Sequence, residues 1–361
     1  MKNILVLGCT GSIGTSTLEI ARNMGEQFKI CGLTAHTSEE RLQTLCEYFK
    51  CPGALTSKAG VESIADLIEK TNPDIVVNGI AGAAGLLPSK ITLEHGKDLA
   101  LANKETVVMA WPLIKNLAEE NNARVIPVDS EHSAIFTLMQ HIKKENIASI
   151  VITASGGPFR TFSREDLESV TLEQTLAHPT WKMGKKITVD SATLANKGLE
   201  VIEAARLFDF PTEQIEVVVH PQSLVHSLVR THDGMLYAQI SEPDMKHPIF
   251  SALTYPKNET PYIPPFDLFD NTMTFFKPRV HDFPLLGYAF EAAKKAKSYT
   301  IAYNAANEVA VNAFLEKKIA FTTIARIVRA VLDKDWTYTP RAFDEVFEQD
   351  KHARAYAQEI L

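Results

Sequence analysis

Short apolar runs alternate with longer stretches of helical periodicity over the first 150 residues. Runs of strand type lie at 4–7, 29–34, 75–77, 99–102, 125–128 and 150–153. Between them, apolar residues recur at the spacing of one helix face, as in residues 15–24. This alternation predicts a parallel, doubly wound sheet, Rossmann-like in arrangement, whose ligands bind beyond the carboxyl ends of the strands.

The pattern changes after residue 150. It predicts a strand at 187–189, a helix at 192–208, a strand at 216–219 and a hairpin at 224–240. Residues 256–284 contain six prolines and read as a linker, and three helical stretches at 285–297, 304–317 and 322–332 follow. We therefore predict an α/β protein with an N-terminal doubly wound sheet at 1–129, an α+β domain at 130–255, the linker, and a helical domain at 285–361.

Composition and charge narrow the classes of protein. The 361 residues are 45% hydrophobic and 22% charged, and the net charge of −7 argues against a nucleic-acid-binding surface. All four cysteines lie in the first 51 residues without zinc-site or disulfide-framework spacing, which favours a reducing compartment. A strand begins at once and no apolar run approaches the ~20 residues of a membrane span. We expect a cytoplasmic protein without a membrane partner.

A glycine-rich turn follows the first strand. The segment Gly8–Gly14 has the pattern GxxGxxG between a strand and a helix. Glycines let a backbone approach a pyrophosphate, and a helix N-terminus favours its negative charge. The first glycine spacing is one residue longer than the usual dinucleotide fingerprint, so an ordinary tight turn is the alternative.

The end of the second strand bears on the choice between NAD and NADP. Residues 35–38 read Ala-His-Thr-Ser and contain no acid to bind the ribose hydroxyls. His36 and Arg41 could instead contact a 2′-phosphate, which favours NADP. The alternative is that both side chains are ordinary surface residues. Ser38 is also predicted to cap the next helix.

Two acids follow the strand at 125–128. If the chain stays extended, Asp129 and Glu131 point to the same side and repel each other, and an all-oxygen pair suits a hard cation such as Mg²⁺ or Mn²⁺. The alternative is a pair of solvated acids at a helix N-terminus. Lys104, after the strand at 99–102, is either a cation near a polarised oxygen or an exposed helix-start lysine.

A third acid and several phosphate-binding candidates lie further along. Asn196, Lys197 and Glu200 share one face of the predicted helix, where Glu200 could complete a three-carboxylate metal site and the others, with Ser191, could hold a phosphate. The alternative is a solvated Lys–Glu pair.

Two further segments have two interpretations each. Ser155, which precedes two glycines, suggests either an oxyanion or phosphate cradle or a plain loop. Residues 177–186 suggest either a mobile lid or a loop anchored by a tryptophan.

Longer motifs resemble one family over essentially the whole chain. They are GCTGSIG at 8–14, AGAAGLLP at 81–88, LANKET at 101–106, PVDSEHSAIF at 127–136, SGGPFR at 155–160, HPTWKMGKKITVDSATLANKGLE at 178–200, HPQS at 220–223 and NAANE at 304–308. Together they resemble the 1-deoxy-D-xylulose 5-phosphate reductoisomerase family. The resemblance implies an NADPH-binding domain, a catalytic domain that also makes a homodimer contact, and a C-terminal helical domain.

The resemblance also implies roles for individual residues. The implied metal ligands, for Mg²⁺ or Mn²⁺ with Co²⁺ as a further option, are Asp129, Glu131 and Glu200, which with Lys104 form the catalytic set. The implied substrate contacts are Lys104, Ser130, Glu131, Ser155, His178, Trp181, Ser191, Asn196, Lys197, Glu200 and Ser223. The implied cofactor contacts are Thr10, Gly11, Ser12, Ile13, Ala35, His36, Thr37, Ser38, Asn103, Glu105 and Gly184. Related enzymes carry a lysine or arginine with asparagine where this chain has His36, Thr37 and Ser38, so the 2′-phosphate contact stays open.

The implied reaction converts a sugar phosphate, 1-deoxy-D-xylulose 5-phosphate, to 2-C-methyl-D-erythritol 4-phosphate for isoprenoid synthesis, by retroaldol and aldol steps followed by hydride transfer. A semialdehyde dehydrogenase is one alternative, but it needs a catalytic cysteine and this chain has none after Cys51. A non-catalytic NADP sensor is another. A sensor would bind NADPH without consuming it when metal and sugar phosphate are added.

Overall fold

The computed structural model describes residues 1–361, which divide into two compact units. The first unit comprises residues 1–106, 111–133 and 244–265. The second comprises residues 107–110, 134–243 and 266–361. The chain therefore enters and leaves each unit more than once. The functional division into cofactor, catalytic and helical domains with a linker stays a prediction.

Ten strands and sixteen α-helices make up the two units. The strands are β1 Lys2–Leu7, β2 Phe28–Ala35, β3 Gly53–Leu55, β4 Ile75–Asn78, β5 Asp98–Leu101, β6 Val125–Pro127, β7 Ile147–Ala154, β8 Ile215–Val219, β9 Val225–Thr231 and β10 Leu236–Ile240. The helices are α1 Ser12–Asn23, α2 Glu39–Phe49, α3 Thr56–Ala59, α4 Ser63–Thr71, α5 Leu86–Glu94, α6 Lys104–Glu120, α7 Ser130–Met139, α8 Arg164–Leu167, α9 Leu172–Leu176, α10 Lys185–Ala192, α11 Ala195–Leu207, α12 Lys246–Thr254, α13 Leu285–Lys295, α14 Tyr299–Leu315, α15 Phe321–Leu332 and α16 Phe343–Ile360.

The first unit is built on a six-stranded parallel sheet in the order β3-β2-β1-β4-β5-β6. The inner strands are buried on both faces, as their unbroken apolar runs predict. The strand order reverses between β1 and β4, so their carboxyl ends form the crevice where doubly wound sheets bind ligands. The predicted Rossmann-like sheet is confirmed.

The segment 244–265 returns to the first unit through α12. Its Phe250 ring packs edge-on against Phe28 of β2, with ring centroids 6.1 Å apart. The ammonium of Lys2 donates to the carbonyl of Leu253 at 2.6 Å. The predicted boundary at residue 130 placed α12 with the second domain, whereas the helix packs in the first unit. Sequence periodicity does not show which unit a helix packs against.

The second unit contains a mixed four-stranded sheet in the order β10-β9-β7-β8. Strands β7 and β8 are parallel, whereas β9 pairs antiparallel with both β7 and β10. One large core joins this sheet to α11 and to α13 through α16, with Phe159 and Tyr303 among its fully buried side chains. The hairpin β9–β10 and the helical C-terminal region agree with the predicted pattern.

The helix α6 is bent, and a buried arginine compensates for the bend. Ala110 has non-helical angles of φ −139° and ψ 21°, and Pro112 has no N–H to donate to the carbonyl of Val108. The guanidinium of Arg206 donates to the carbonyls of Val107 and Val108 at 2.8 and 2.7 Å. Burial lowers the pKa of Arg206 to about 10.

One sequence prediction is wrong in the second unit, and one long helix was not predicted individually. Residues 187–189, predicted as a strand, lie inside the helix α10, whose buried Val189 and Ala192 belong to the core. A run of three β-branched residues, here Ile-Thr-Val, does not distinguish a strand from a buried helical turn. The helix α16 was not predicted, because its charged sequence buries only four residues. No helix of the structure combines the length and the apolar character needed to cross a membrane.

Candidate functional site

The glycine turn of the first unit is tightly constrained. Gly8 has φ +75°, and a Cβ at Gly14 would overlap the carbonyl oxygen of Gly8. The N–H of Gly8 donates to the hydroxyl of Thr34 at 3.2 Å, and the N–H of Cys9 donates to the Thr34 carbonyl at 2.8 Å. These bonds fix the turn against β2 and start α1 at Ser12, so Gly11, Ser12 and Ile13 present a helix N-terminus suited to a pyrophosphate.

The end of β2 brings several polar groups beside this turn. Ala35 is buried, and His36, Thr37 and Ser38 are exposed. The guanidinium of Arg41 donates to the carbonyl of Thr10 at 3.1 Å, so the first turn of α2 is tied to the glycine turn. Ser38 occupies the N-cap position of α2 as predicted, but its side chain makes no capping hydrogen bond.

A further cation lies at the same edge of the sheet. Lys58, in the short helix α3 after β3, pairs with Glu39 at 2.5 Å, and the ring of His36 is 3.1 Å from the hydroxyl of Thr56. Lys58 was missed by sequence reasoning because only the pairing of β3 with β2 brings α3 to this edge. The basic groups here are therefore His36, Arg41 and Lys58.

Asn103 holds two of the sequence motifs together. Its amide nitrogen donates to the carbonyls of Ile80 and Gly82, each at 2.8 Å, and to Glu105 at 3.0 Å. Its amide oxygen caps α6 by accepting from the N–H of Thr106 at 2.9 Å. A Cβ at Gly85 would overlap this amide. The loop after β4 and the start of α6 are thus one hydrogen-bonded structure that holds Glu105.

The next residue, Lys104, is buried rather than exposed. It begins α6 after β5, and its ammonium forms an ion pair with Asp129, which follows the neighbouring strand β6. Lys104 is 6% exposed and Asp129 8%. Burial alone would raise the pKa of Asp129, but Lys104 and His132 hold it well below its usual value. The solvated alternatives for both residues are therefore wrong.

Glu131 reaches its position by a different route from the one predicted. Ser130 begins α7, so Asp129 and Glu131 do not lie on one extended segment. Glu131 is in the first helical turn, where negative charge is favoured, and accepts a hydrogen bond from the hydroxyl of Ser130 at 2.8 Å. A helix N-terminus directly after a strand, rather than strand alternation, places these two acids near each other.

The second unit buries another lysine and acid. Glu200 on α11 is 1% exposed, and its two oxygens accept hydrogen bonds from Asn196 and from Lys197. Lys197 is 4% exposed. The predicted shared helix face is confirmed, and the solvated-pair alternative is wrong.

His178 joins two serines in the second unit. Its Nε2 lies 3.0 Å from the hydroxyl of Ser155 and 3.1 Å from that of Ser191. Its Nδ1 accepts from the N–H groups of Thr180 and Trp181 at 3.2 and 2.9 Å. Nδ1 therefore carries no proton, and Nε2–H is the donor toward the serines. Burial lowers the pKa of His178 to about 4, so the ring is neutral at pH 7.

Other predicted residues surround this cluster. The ring of Trp181 contacts His226 edge-on with centroids 6.2 Å apart. Ser223 is buried with φ +55°, in a turn where its N–H donates to the carbonyl of His220 at 3.0 Å. Gly184 is the N-cap of α10. Residues 177–184 have no regular structure, as predicted, whereas the last two residues of the predicted irregular segment 177–186 begin α10.

One buried acid here was missed. Asp190, 1% exposed, accepts from Lys186 at 2.8 Å and from the amide of Asn307 at 2.8 Å. It therefore ties α10 to the motif of α14 and fixes the residue before Ser191. The Lys186–Asp190 contact was not predicted because residues 187–189 were predicted as a strand. Only a helix places Lys186 and Asp190 one turn apart.

The structure thus assembles two groups of candidate residues, each within one unit. Lys104, Asp129, Ser130 and Glu131 belong to the first unit, together with the candidate cofactor residues other than Gly184. The second unit contains Glu200 and the candidate phosphate residues. The metal set takes residues from both units, so it stays a prediction.

The doubly wound sheet with a glycine turn after its first strand is the arrangement of dinucleotide-binding proteins. Three family profiles match the chain: 1-deoxy-D-xylulose 5-phosphate reductoisomerase at 4–57 and 53–111, its C-terminal domain at 125–208, and the DXP reductoisomerase C-terminal domain at 240–356. The curated 1-deoxy-D-xylulose 5-phosphate reductoisomerase of Treponema denticola is 49% identical over 99% of this chain and 96% of that protein. The chain belongs to the 1-deoxy-D-xylulose 5-phosphate reductoisomerase family, whose members are NADPH-dependent oxidoreductases.

Solved structures agree over the full length. A DOX-P reductoisomerase in complex with NADPH, fosmidomycin and magnesium has a TM-score of 0.91 and 35% identity, covering 99% of this chain and 98% of that one. The 1-deoxy-D-xylulose 5-phosphate reductoisomerase of Zymomonas mobilis in complex with NADPH has a TM-score of 0.90 and 36% identity, with the same coverage. The fold of this chain is that of the family.

Proposed function

We propose that the protein converts 1-deoxy-D-xylulose 5-phosphate to 2-C-methyl-D-erythritol 4-phosphate, using NADPH and a divalent cation. The reaction is a retroaldol and aldol rearrangement followed by hydride transfer, and it serves isoprenoid precursor synthesis. Family membership over the whole chain is the observation that carries the proposal. The NADPH and magnesium in a related structure agree with it.

The proposed metal ligands are Asp129, Glu131 and Glu200. Their chemistry fits Mg²⁺, Mn²⁺ or Co²⁺, because all are carboxylates and two are almost fully buried. The depressed pKa of Asp129 keeps this ligand ionised. Lys104 and Lys197 each compensate one of these buried charges within the protein. When bound, the cation supplies Lewis-acid polarisation of the substrate oxygens.

The proposed phosphate site is the cluster of Ser155, Ser191, Asn196, Lys197 and His178, with Ser223 and Trp181 beside it. Ser155 and Ser191 both lie within hydrogen-bond reach of the same neutral imidazole, so one small anion could accept from all three groups. Lys197 supplies the positive charge. Binding energy gained at the phosphate can order the segment 177–184 and exclude water from the reacting carbons.

The proposed cofactor site is the glycine turn with the end of β2. The helix N-terminus at Gly11–Ile13 receives the pyrophosphate. His36 and Arg41 are the proposed contacts of the 2′-phosphate, with Lys58 as an additional cation. Asn103 and Glu105 support the loop after β4, and Lys104, between them, extends toward Asp129. This arrangement would bring the substrate oxygens and the cofactor to the same strand ends.

The deciding experiment is an assay of NADPH oxidation with 1-deoxy-D-xylulose 5-phosphate and magnesium. Glu200→Gln preserves shape but removes a proposed ligand charge, and we expect kcat/KM to fall by roughly 10³-fold, about 4 kcal/mol of transition-state stabilisation. Glu213→Gln, which changes an exposed acid, is the matched control and should retain activity. NADPH binding without any metal-dependent turnover by the native protein would instead indicate a sensor.

We also propose a cytoplasmic homodimer. The edge strand β10 exposes Leu236 and Tyr237, at 48% and 45%. An exposed apolar edge strand invites pairing with another chain. Sedimentation equilibrium should give twice the mass of the chain, and Leu236→Lys should lower the dimer fraction. A monomer at micromolar concentration would contradict this part of the proposal.

A further inference from the structure

Two cysteines, Cys46 and Cys51, form a side-chain hydrogen bond at the C-terminal end of α2. Cys46 is in the last turn of the helix, and Cys51 is the second residue beyond it. Both thiols are free and partly exposed, whereas Cys9 and Cys31 are buried. Solvent reagents can therefore reach this pair more readily than the other two thiols.

The backbone of the helix end sets the pairing. Lys50 adopts the left-handed conformation with φ 51°, which turns the chain back on the helix. The N–H of Cys51 then donates to the carbonyl of Cys46 at 3.1 Å. A hydrogen bond from an N–H to the carbonyl five residues earlier is typical of one kind of helix C-terminus. In that helix end, the side chains of the two bonded residues are commonly in contact. In this chain, both residues are cysteine.

Gly53, two residues after Cys51, leaves room for the sulfur of Cys46. A Cβ on Gly53 would overlap that sulfur, so a glycine just beyond Cys51 leaves the space that it fills. The Cys51 thiol lowers the pKa of Cys46, and the pKa of Cys51 is raised by Cys46 and by burial. We assign Cys46 as the attacking thiolate and Cys51 as the resolving thiol, an order that the single variants test.

We propose that Cys46 and Cys51 form a thiol–disulfide modification site that reacts with low-molecular-weight disulfides. The Cys46 thiolate attacks one sulfur of the small disulfide, breaks its S–S bond and releases one thiolate, leaving a mixed disulfide. Cys51 then loses its proton and attacks the Cys46 sulfur, which releases the second thiolate. Two electrons pass from the cysteines to the small disulfide, and their protons end on the two small thiols.

The test is incubation of the full chain with oxidised glutathione, followed by alkylation and peptide mass spectrometry. The proposal expects one internal disulfide between Cys46 and Cys51, with Cys9 and Cys31 alkylated, and complete reversal by reduced glutathione. Four alkylated cysteines under excess oxidised glutathione would overturn it. A disulfide that joins either residue to Cys9 or Cys31 would overturn it equally.

Single variants separate the two roles. In Cys51→Ser the resolving thiol is absent, so one glutathione should remain attached to Cys46. In Cys46→Ser we expect Cys51 to react at least tenfold more slowly than Cys46 does in Cys51→Ser. Cys31→Ser is the matched control and should form the internal disulfide at the native rate. Equal reactivity of the two single variants would contradict the assigned order of attack.

Discussion

Each unit buries a lysine against a carboxylate, but the two pairs are built in different ways. Lys104 and Asp129 follow the neighbouring strands β5 and β6, so only the sheet brings them together. Lys197 and Glu200 lie one helical turn apart on α11, so the helix itself brings them together. One pair depends on tertiary topology and the other on local geometry.

The two pairs differ in the groups that offset the desolvation cost of the buried carboxylate. Asp129 has Lys104 as its main compensating charge, with His132 further away at 3.6 Å. Glu200 receives a hydrogen bond from Asn196 in addition to the lysine. The helical pair therefore retains a close amide donor when its lysine is removed, whereas the strand-end pair loses its largest compensating charge and retains the more distant His132.

Lys104→Met should have the largest effect on stability. It leaves Asp129 buried without its cation, and breaking a buried pair in this way costs about 3–5 kcal/mol. Urea unfolding without added metal measures the change. Lys58→Met breaks an exposed pair and is the control, with an expected change below about 0.5 kcal/mol. Equal effects of the two substitutions would show that burial does not determine the strength of the pair.

Lys197→Met should cost less, about 2 kcal/mol, because the amide of Asn196 continues to donate to Glu200. Lys295→Met on α13 is the matched helical control, since its partner Glu291 is partly exposed. If Lys197→Met is as costly as Lys104→Met, the retained amide contributes nothing. The double variant Asn196→Ala with Lys197→Met should then show whether the amide and the lysine act independently.

Local sequence patterns predicted most of the secondary structure of the first unit. They predicted fewer of the contacts between residues that are distant in the sequence. The parallel sheet followed from apolar runs separated by amphipathic stretches, and the shared face of Asn196, Lys197 and Glu200 followed from helical spacing. The partners of Asp129 and the position of Lys58 did not, because they depend on strand order. The helix α10 was mistaken for a strand because the three β-branched residues Ile187, Thr188 and Val189 are too few to show a periodicity. The role of Asp190 was missed for the same reason.

A pH titration should distinguish His178 of the phosphate cluster from Asp129 of the strand-end ion pair. The pKa of His178 is lowered to about 4 by burial, so between pH 6.5 and 4 the unfolded chain binds a proton that the folded chain does not. Stability is therefore present above pH 6.5 and is lost as pH falls toward 4, by about 1–2 kcal/mol after allowance for solvent.

Ring resonances in an NMR titration should show His178 neutral down to about pH 4. His178→Gln should flatten this part of the stability curve, while His352→Gln, at an exposed position of α16, should leave it unchanged. An unchanged slope in His178→Gln would mean that other groups produce the acid sensitivity. The titration thus tests a group that is stabilised in its neutral form, in contrast to Asp129, whose pKa is lowered.

Of the differences between the two units, helix capping has the smallest expected effect on stability. Thr171 caps α9 in the second unit with a reciprocal bond pair to Gln174, so Thr171→Ala should cost about 1 kcal/mol. Ser38 precedes α2 in the first unit without a capping bond, so Ser38→Ala should change stability by less than about 0.3 kcal/mol. If Ser38 contacts the cofactor as proposed, its replacement should raise the KM for NADPH while the unfolding midpoint stays constant. A loss of stability with an unchanged KM would instead make Ser38 a structural cap.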